Sequence, residues 1–304
     1  MSTTFNFQEL YNYSQGIGCD CALGEAMSKN TSFKTGGPCG IRLSPSDTNQ
    51  LIDIINKATE LEIPFVVLGN GTNIIVPDEG INKAVIIIGS NMSSIEQDGN
   101  LISFSAGTPL TALCRFALES SLSGLEFAFG IPGTCGGAIF MNAGAYGGEM
   151  KDVITEITHL TPDMRVETIR NSAAEFSYRH SAYKKSGCII LGGKVELKPD
   201  TKENIKERMD DFLGRRKDKQ PLEFPSAGST FKRPEGNFAG ALIEKCNLKG
   251  KSVGGAQVSK KHAGFVINKG NATTTDILSL IDYIQQTVKN ETGITLEPEV
   301  IVLR

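Results

Sequence analysis

The stretch from Ser123 to Glu149, SGLEFAFGIPGTCGGAIFMNAGAYGGE, constrains the fold of this chain more than any other. Eight of its residues are glycine, at positions 124, 130, 133, 136, 137, 144, 147 and 148. Apolar residues and Pro132 lie between them, where a flexible linker has serine, asparagine and charge. Because glycine permits positive φ and close approach of a ligand to bare backbone, the stretch predicts a turn that binds a pyrophosphate through N–H groups. For any single Gly-Gly pair, a tightly packed core turn is the alternative.

A second glycine turn is predicted within residues 65–76, FVVLGNGTNIIV, where a buried strand runs into GNGTN and a second apolar run follows. Gly69 and Gly71 free the backbone, while Asn70, Thr72 and Asn73 supply short hydrogen-bonding side chains. The G-x-G-x-x-G spacing of a Rossmann dinucleotide site is absent, and no helix is predicted directly after the turn. We therefore expect a second ligand-contacting turn of a different kind.

Charge and composition exclude several classes of protein. The net charge is −3 without a long basic run, which excludes a nucleic-acid or anionic-membrane footprint. No apolar run approaches the ~20 residues of a membrane span, and the N-terminus lacks a signal peptide pattern, so a cytoplasmic protein is expected. The seven cysteines form no C-x-x-C pair and are expected to be free thiols. With only three histidines, well apart in sequence, no metal site is predicted.

The order of the predicted elements favours an α+β fold. A chain of 304 residues is long enough for two or three units, since single cores stop growing near ~250–300 residues. The βαβ units are too irregular for a doubly wound sheet. Strands are predicted over 65–76 (interrupted by the turn), 84–88, 101–107, 152–160, 188–197, 263–268 and 294–303, and helices from Ser46, after Pro109, and over 200–216, 239–247 and 274–290.

Three residues from distant segments are candidates for catalysis. Arg179 lies between aromatic residues, where a guanidinium is costly to bury unless it pairs with an anion. Strand alternation is expected to align Ser229 with Phe231 and Arg233 on one side. Glu299 lies in an apolar terminal strand, where a buried carboxylate has a raised pKa or a cationic partner. The alternatives are a surface or ion-paired arginine, a turn serine and a solvated edge charge.

Seven ordered motifs together resemble the UDP-N-acetylenolpyruvoylglucosamine reductase family. They are NTSFKTGG (30–37), LGNGTN (68–73), GIPGTCGGAIFMNAGAYGGE (130–149), SYRHSAYK (177–184), PSAGSTFKRP (225–234), SKKHAGFVIN (259–268) and LEPEV (296–300). The resemblance implies an enzyme of peptidoglycan precursor synthesis with a vanillyl-alcohol-oxidase-like (PCMH-type) FAD-binding fold of two α+β subdomains, expected at 1–94 and 95–204. A C-terminal α/β substrate-binding domain is expected at 205–304. The family pattern further implies non-covalent FAD and NADPH as reductant. The expected partners are the small-molecule substrate and NADPH, without nucleic acid or membrane, and a monomer is expected.

The resemblance also implies a reaction and roles for particular residues. Flavin N5 passes a hydride to the methylene carbon of an enolpyruvyl ether of UDP-N-acetylglucosamine, and the adjacent carbon is then protonated. Ser229 matches the proton donor, and Arg179 and Glu299 match the groups that polarise the substrate carboxylate. A serine hydroxyl is a weak acid, so we hypothesise that Lys232 or Arg233 stabilises its alkoxide. Only residues 180–187 separate Arg179 from its next predicted strand, which indicates the subclass with a short substrate loop.

The expected ligand contacts fall into two sets. The substrate contacts are Lys219, for which a solvated charge at a helix end is the alternative, and Lys232 and Arg233. His262 is expected to be structural, because a lone histidine at a strand start usually is. The cofactor contacts are Gly69, Asn70, Gly71, Thr72, Asn73, Gly107, Gly130, Ile131, Pro132, Gly133, Gly136, Gly137, Ala138, Asn142, Gly144, Ala145 and Arg179.

Two other functions remain open from the sequence. A related flavoprotein oxidase would share the FAD turns but would react with oxygen and need no NADPH. A non-enzymatic nucleotide-binding protein would keep the fold without a reducible flavin. Arg179, Ser229 and Glu299 together favour the reductase over the second of these.

Overall fold

The computed structural model describes residues 5–303. These residues form eight α-helices: α1 (Phe7–Gly16), α2 (Thr48–Glu60), α3 (Leu110–Glu119), α4 (Cys135–Phe140), α5 (Tyr183–Ser186), α6 (Lys202–Lys219), α7 (Ala239–Lys245) and α8 (Thr274–Thr292). They also form eighteen strands: β1 (Asp20–Leu23), β2 (Cys39–Ser44), β3 (Phe65–Leu68), β4 (Ile74–Ile75), β5 (Ile81–Ile87), β6 (Ile95–Asp98), β7 (Leu101–Ser105), β8 (Leu122–Ser123), β9 (Gly144–Ala145), β10 (Gly148–Glu149), β11 (Ile154–Leu160), β12 (Val166–Arg170), β13 (Ile189–Glu196), β14 (Lys198–Pro199), β15 (Ser252–Val253), β16 (Ala256–Val258), β17 (Val266–Asn268) and β18 (Ile301–Val302).

The first of two compact units comprises Met1–Leu23, Ile41–Asn70 and Lys83–Arg215. It contains a four-stranded sheet of order β1-β2-β5-β3, in which β1 and β2 are antiparallel and β3 and β5 are parallel. A second, antiparallel sheet has the order β12-β11-β13-β7-β6. Buried apolar residues of both sheets and of α2, α3 and α4 form one core.

Helix α2 shows why the sequence forms an amphipathic helix in this unit. The Asp47 side chain caps its N-terminus by accepting from the Gln50 N–H at 2.9 Å. Leu51, Ile54 and Ala58 recur at helical spacing and are completely buried. Cap and apolar stripe therefore fix both the start and the orientation of α2.

The second unit comprises Gly24–Gly40, Gly71–Asn82 and Arg216–Arg304. It contains the antiparallel sheet β15-β16-β17, the parallel pair β4 and β18, and helices α7 and α8. Its core joins residues that are distant in sequence, among them Phe33, Ile75 and Ile284. A capping box of Thr273 and Asp276 begins α8, whereas Gly293 in the left-handed conformation ends it.

The segment Gly71–Asn82 is fastened to the N-terminus of α8 inside this unit. The carboxylate of Asp78 accepts from the N–H groups of Thr274 at 2.7 Å and Thr275 at 2.9 Å. The Thr274 hydroxyl donates to the Val76 carbonyl at 2.6 Å. Since a carboxylate at a helix N-terminus satisfies orphan N–H groups, these bonds anchor the segment that leads out of the GNGTN turn.

Most predicted elements are present, but the final strand is much shorter than predicted. Only Ile301–Val302 pairs as a regular strand, beside β4, and Pro298 forms an isolated bridge with Phe231. Proline lacks the N–H that a continuous ladder requires, so the predicted strand over 294–303 is wrong before residue 301. The glycine-rich stretch, predicted only as a turn, also contains the short helix α4.

The predicted three-part division at 1–94, 95–204 and 205–304 stays a prediction. By compactness the chain separates into two units, and the segments Gly24–Gly40 and Gly71–Asn82 belong with its C-terminal part. All seven cysteines are free thiols, as predicted. Within residues 5–303, none of the helices has the length and apolar character needed to cross a bilayer.

Candidate active site

Ser229 lies on an exposed turn whose neighbours are held firmly. Gly228 precedes it with a φ of +76°, which favours glycine. Thr230 follows it and is fully buried; its N–H donates to the Gly264 carbonyl at 2.9 Å, and its hydroxyl accepts from the Val266 N–H at 3.0 Å. Within residues 5–303 the Ser229 hydroxyl bonds to no other group. The turn therefore exposes this hydroxyl on a fixed backbone.

The expected alternation of residues around Ser229 is wrong. Ser229 and Arg233 are exposed, whereas Phe231 is only 3% exposed and belongs to the core of the second unit. The chain bends at Thr230, because its bonds to β17 and to the segment before β18 draw both Thr230 and Phe231 inward.

Glu299 lies next to the Ser229 turn. Its N–H donates to the Thr230 carbonyl at 2.8 Å, and its carbonyl accepts from the Asn73 side-chain amide at 3.2 Å. The residue is half-buried. The structure thus brings Ser229 and Glu299, 70 positions apart in sequence, onto adjacent backbone segments of the second unit.

Arg179 belongs to the first unit and lies on a tight turn between Ser177 and His180, which pair as an isolated bridge. It has a φ of +54°, unusual for a residue with a side chain, and strain of this kind clusters at functional positions. Its guanidinium donates to the Gly144 carbonyl at 3.2 Å and lies 5.2 Å from the centre of the Tyr178 ring. The turn therefore holds Arg179 against the glycine-rich stretch.

Glu149 ends the glycine-rich stretch and lies within the field of Arg179. Burial alone would raise the pKa of Glu149, but hydrogen bonds from Lys151 and Asn142, together with the charges of Lys151 and Arg179, lower it. The Lys151 ammonium is 2.7 Å from the carboxylate. Glu149 therefore remains ionised and helps to balance the positive charge beside it.

Asn142 organises this region from inside the protein. It is completely buried, and its amide donates to the Glu149 carboxylate and to the Ser177 carbonyl, both at 3.0 Å. Its side-chain oxygen accepts from the Lys151 N–H at 3.0 Å. Because both ends of the side chain are used by the protein, Asn142 offers a cofactor only its backbone and instead ties the glycine-rich stretch to the Arg179 turn.

The protein's own packing requires several of the glycines. A Cβ on Gly107 would lie 2.0 Å from the Gly89 carbonyl oxygen, and one on Gly136 would lie 2.8 Å from the Ala106 Cβ. The N–H of Gly136 donates to the Ala106 carbonyl, and that of Gly137 to the Thr134 hydroxyl, at 2.9 and 3.3 Å. At these positions the close-packing interpretation holds, and these N–H groups are already engaged by the protein.

Two short backbone segments have the donors that a pyrophosphate needs. Within residues 5–303, the N–H groups of Asn70, Gly71 and Thr72 bond to no acceptor, and neither do those of Gly133 and Thr134. Successive N–H groups in such turns bind anions without a cationic side chain.

Gly69, the residue before the first of these segments, packs against Thr134. In the first unit, a Cβ on Gly69 would lie 2.4 Å from the Thr134 hydroxyl oxygen, so no larger residue fits at this position. The N–H groups of Asn70, Gly133 and Thr134, all in the first unit, therefore fit the diphosphate of FAD.

The predicted substrate cations differ in their surroundings. Lys219 is exposed in the last turn of α6. Lys232 is half-buried and forms an ion pair with Glu297, and the Arg233 guanidinium lies 3.9 Å from the centre of the exposed Phe238 ring. Lys219 is thus solvent-accessible, whereas Lys232 and Arg233 are each held by a neighbour.

His262 has the structural role that the sequence predicted. Its Nδ1 accepts from the Gly264 N–H at 3.1 Å, which requires the neutral ring with the proton on Nε2. Its ring lies edge-on to Phe265, with 5.0 Å between the ring centres. Burial lowers the pKa of His262, which keeps the ring neutral.

Sequence reasoning missed Thr230 and Asp78. Thr230 fixes the backbone of both Ser229 and Glu299, and Asp78 fastens the segment after GNGTN. Thr230 lies inside the PSAGSTFKRP motif, so a signal was present but was attributed to Ser229 alone. Asp78 lies outside every motif, and no local pattern connects it to a helix almost 200 residues later.

Comparisons with known proteins match both parts of the chain. The model for the UDP-N-acetylenolpyruvoylglucosamine reductase C-terminal domain matches residues 220–303, and the model for an FAD-binding domain matches residues 41–170. A UDP-N-acetylenolpyruvoylglucosamine reductase of Caldanaerobacter subterraneus subsp. tengcongensis is 46% identical over 92% of this chain and 93% of its own length. One of Agathobacter rectalis is 48% identical over 91% of each.

A solved structure gives the same result for the fold. The UDP-N-acetylenolpyruvylglucosamine reductase of Thermus caldophilus superimposes with a TM-score of 0.81 at 34% identity, over 94% of this chain and 99% of that one. Together with the match to the FAD-binding domain, this confirms the predicted α+β class and the vanillyl-alcohol-oxidase-like FAD-binding fold.

Proposed function

Because this chain belongs to the UDP-N-acetylenolpyruvoylglucosamine reductase family, we propose that it reduces the enolpyruvyl ether of UDP-N-acetylglucosamine to UDP-N-acetylmuramate, with NADPH as the reductant. Family and FAD-binding domain make it a flavoprotein oxidoreductase of peptidoglycan precursor synthesis. NADPH, the individual residue roles, action as a monomer and a cytoplasmic location are parts of this proposal.

The observation that carries the proposal is the adjacency of Ser229 and Glu299. Ser229, whose hydroxyl bonds to nothing else in the described chain, and the half-buried Glu299 lie on adjacent backbone segments, which the bonds of Thr230 hold together. A reaction that protonates a carbon next to a carboxylate needs one group to deliver the proton and others to polarise that carboxylate.

FAD, when bound, supplies the hydride chemistry that joins NADPH to the methylene carbon of the substrate. We propose that the N–H groups of Asn70, Gly133 and Thr134, all in the first unit, hold its diphosphate. Gly69 and Gly107 keep the surrounding backbone close-packed, because a side chain at either position would collide with Thr134 or Gly89.

We propose that the Ser229 hydroxyl donates its proton to the carbon that carries the substrate carboxylate. Hydride addition to the neighbouring methylene carbon leaves negative charge on the carbon that carries the carboxylate, and on the carboxylate itself. Arg179 and Glu299 then act on the carboxylate, since preplaced groups stabilise charge where it develops without reorganising. Lys232 is the nearest basic residue to Ser229 in sequence, and we propose that it stabilises the negative charge of the alkoxide that Ser229 becomes after it donates its proton.

The proposal is tested on the purified yellow protein under anaerobic conditions. NADPH is expected to bleach the flavin absorbance, and the enolpyruvyl nucleotide is then expected to restore it with formation of UDP-N-acetylmuramate. Restoration by oxygen alone would instead identify an oxidase. A flavin that NADPH fails to bleach would refute the proposed reductant and favour a binding protein.

A further inference from the structure

The GNGTN turn carries a side chain that reaches the segment of Glu299. In the second unit, the Asn73 amide donates to the Glu299 carbonyl at 3.2 Å, and the Asn73 carbonyl accepts from the Ile301 N–H at 3.0 Å. Asn73 therefore forms hydrogen bonds with the residues on both sides of Val300. The sequence predicted Asn73 as a cofactor contact, but its side-chain amide donates to the Glu299 carbonyl.

The backbone of Glu299 lies outside the regular strands. Residues 294–300 lie outside regular strands, and the isolated bridge at Pro298 is the sheet-like contact closest to Glu299 among the described residues. The two peptide groups of Glu299 are bonded separately, the N–H to Thr230 and the carbonyl to Asn73. When a residue lacks a continuous ladder, each single bond has a large share in fixing its Cα and thus the aim of its side chain.

We propose that Asn73 is a positioning residue for Glu299, so that the turn that meets the cofactor also sets the aim of the catalytic carboxylate. This inference rests on the role of Glu299 in the proposed function. Asn73 connects the GNGTN turn with Glu299, because its backbone belongs to the turn and its side-chain amide donates to the Glu299 carbonyl. Catalytic groups act well only within narrow tolerances of position, so loss of this bond weakens the action of Glu299 on the substrate.

The test separates the two halves of the reaction in the holoenzyme. Asn73→Ala is compared with wild type for FAD retention, for flavin reduction by NADPH, and for flavin reoxidation by the enolpyruvyl nucleotide, each by anaerobic stopped flow. A neutral hydrogen bond is worth a few-fold in rate, so reoxidation is expected to slow by about three- to tenfold. FAD retention and reduction by NADPH are expected to stay as in wild type.

Gln285→Ala is the matched control. Its side-chain amide also donates to a backbone carbonyl of this segment, that of Leu296, at 2.8 Å. Leu296 is completely buried in the core, so loss of this bond leaves Glu299 in place. Reoxidation in Gln285→Ala is expected to match wild type. If both variants slow reoxidation equally, Asn73 has no particular role and the inference is overturned.

A double-mutant cycle distinguishes positioning from a separate contribution. If Asn73 acts through Glu299, Asn73→Ala has no further effect on reoxidation in a Glu299→Ala background. Equal slowing in both backgrounds, or a loss of FAD retention with both half-reactions impaired, would overturn the inference and leave the proposed function standing. A Glu299→Ala protein with wild-type reoxidation would refute the proposed role of Glu299 and this inference with it. Should Asn73→Ala not fold, Asn73→Ser serves in the same cycle with the same criteria.

Discussion

Arg208 on α6 bonds to a buried carboxylate at the start of the glycine-rich stretch. Its Nε and Nη2 donate to Glu126 Oε1 at 3.1 and 2.7 Å, and Nη2 also reaches Asp200 at 2.6 Å. The Glu126 side chain is 8% exposed and that of Arg208 is 40% exposed. Two bonds to Glu126, from the Ser123 hydroxyl and the Gly124 N–H, would survive loss of Arg208.

The variant Arg208→Met keeps the volume and removes the donors. Leaving a buried charge without its partner costs about 3–5 kcal/mol when burial is complete. The two surviving bonds and the partial exposure of Arg208 reduce this, so we expect the free energy of unfolding to fall by about 2–3 kcal/mol. The control is Arg215→Met on the same helix, whose exposed pair with Asp211 is worth at most about 0.5 kcal/mol.

Urea unfolding of the FAD-saturated proteins at two pH values tests this reasoning. Burial would raise the pKa of Glu126, but the bonds from Arg208, Gly124 and Ser123 lower it below its ordinary 4.5. The stabilisation is therefore present above pH 4.5 and is lost as the pH falls through the lowered value. The difference in the free energy of unfolding between wild type and Arg208→Met should become smaller at acidic pH. This reasoning would be refuted if the free energy of unfolding fell by less than about 0.5 kcal/mol at neutral pH, or if the difference did not become smaller at acidic pH.

Three further predictions concern packing, pH and charge. Gly107→Ala should lower the free energy of unfolding by about 3 kcal/mol in urea, because the new Cβ meets the fixed Gly89 carbonyl; unchanged stability would contradict the close approach. Because the pKa of His262 is lowered in the folded protein, the unfolded chain takes up a proton on this histidine more readily below pH 6.5. The free energy of unfolding of wild type should therefore fall faster below pH 6.5 than that of His262→Asn. Parallel curves of unfolding free energy against pH would contradict this. Lys232→Ala should slow flavin reoxidation by about tenfold through lost stabilisation of the alkoxide, and unchanged turnover would remove Lys232 from that role.

The sequence was sufficient for elements that carry a complete local signal. Helix α8 combines a capping box, an apolar stripe and a terminal glycine, and it was predicted to within two residues of its end. Helix α4 has six residues and no measurable period, so composition showed only a turn there. The interruption of the last strand at Pro298 was readable from the proline itself but was outweighed by the apolar residues around it.

The site was predictable as a set of residues but not as an arrangement. Motifs identified Ser229 and Glu299, yet their adjacency depends on Thr230, whose bonds connect three segments far apart in sequence. The assignment of Gly71–Asn82 to the second unit likewise depends on Asp78 and α8. Local periodicity contains no information about such long-range bonds, because it reports only which face of an element is apolar.

The role of Ser229 as proton donor is measured most directly by the two half-reactions of Ser229→Ala under anaerobic conditions. We expect NADPH to bleach the flavin of this variant at the wild-type rate, because the serine takes no part in that step. The enolpyruvyl nucleotide should then fail to restore the absorbance, since the proton donor is missing. Reoxidation of Ser229→Ala at the wild-type rate would contradict the assignment of Ser229 as the proton donor.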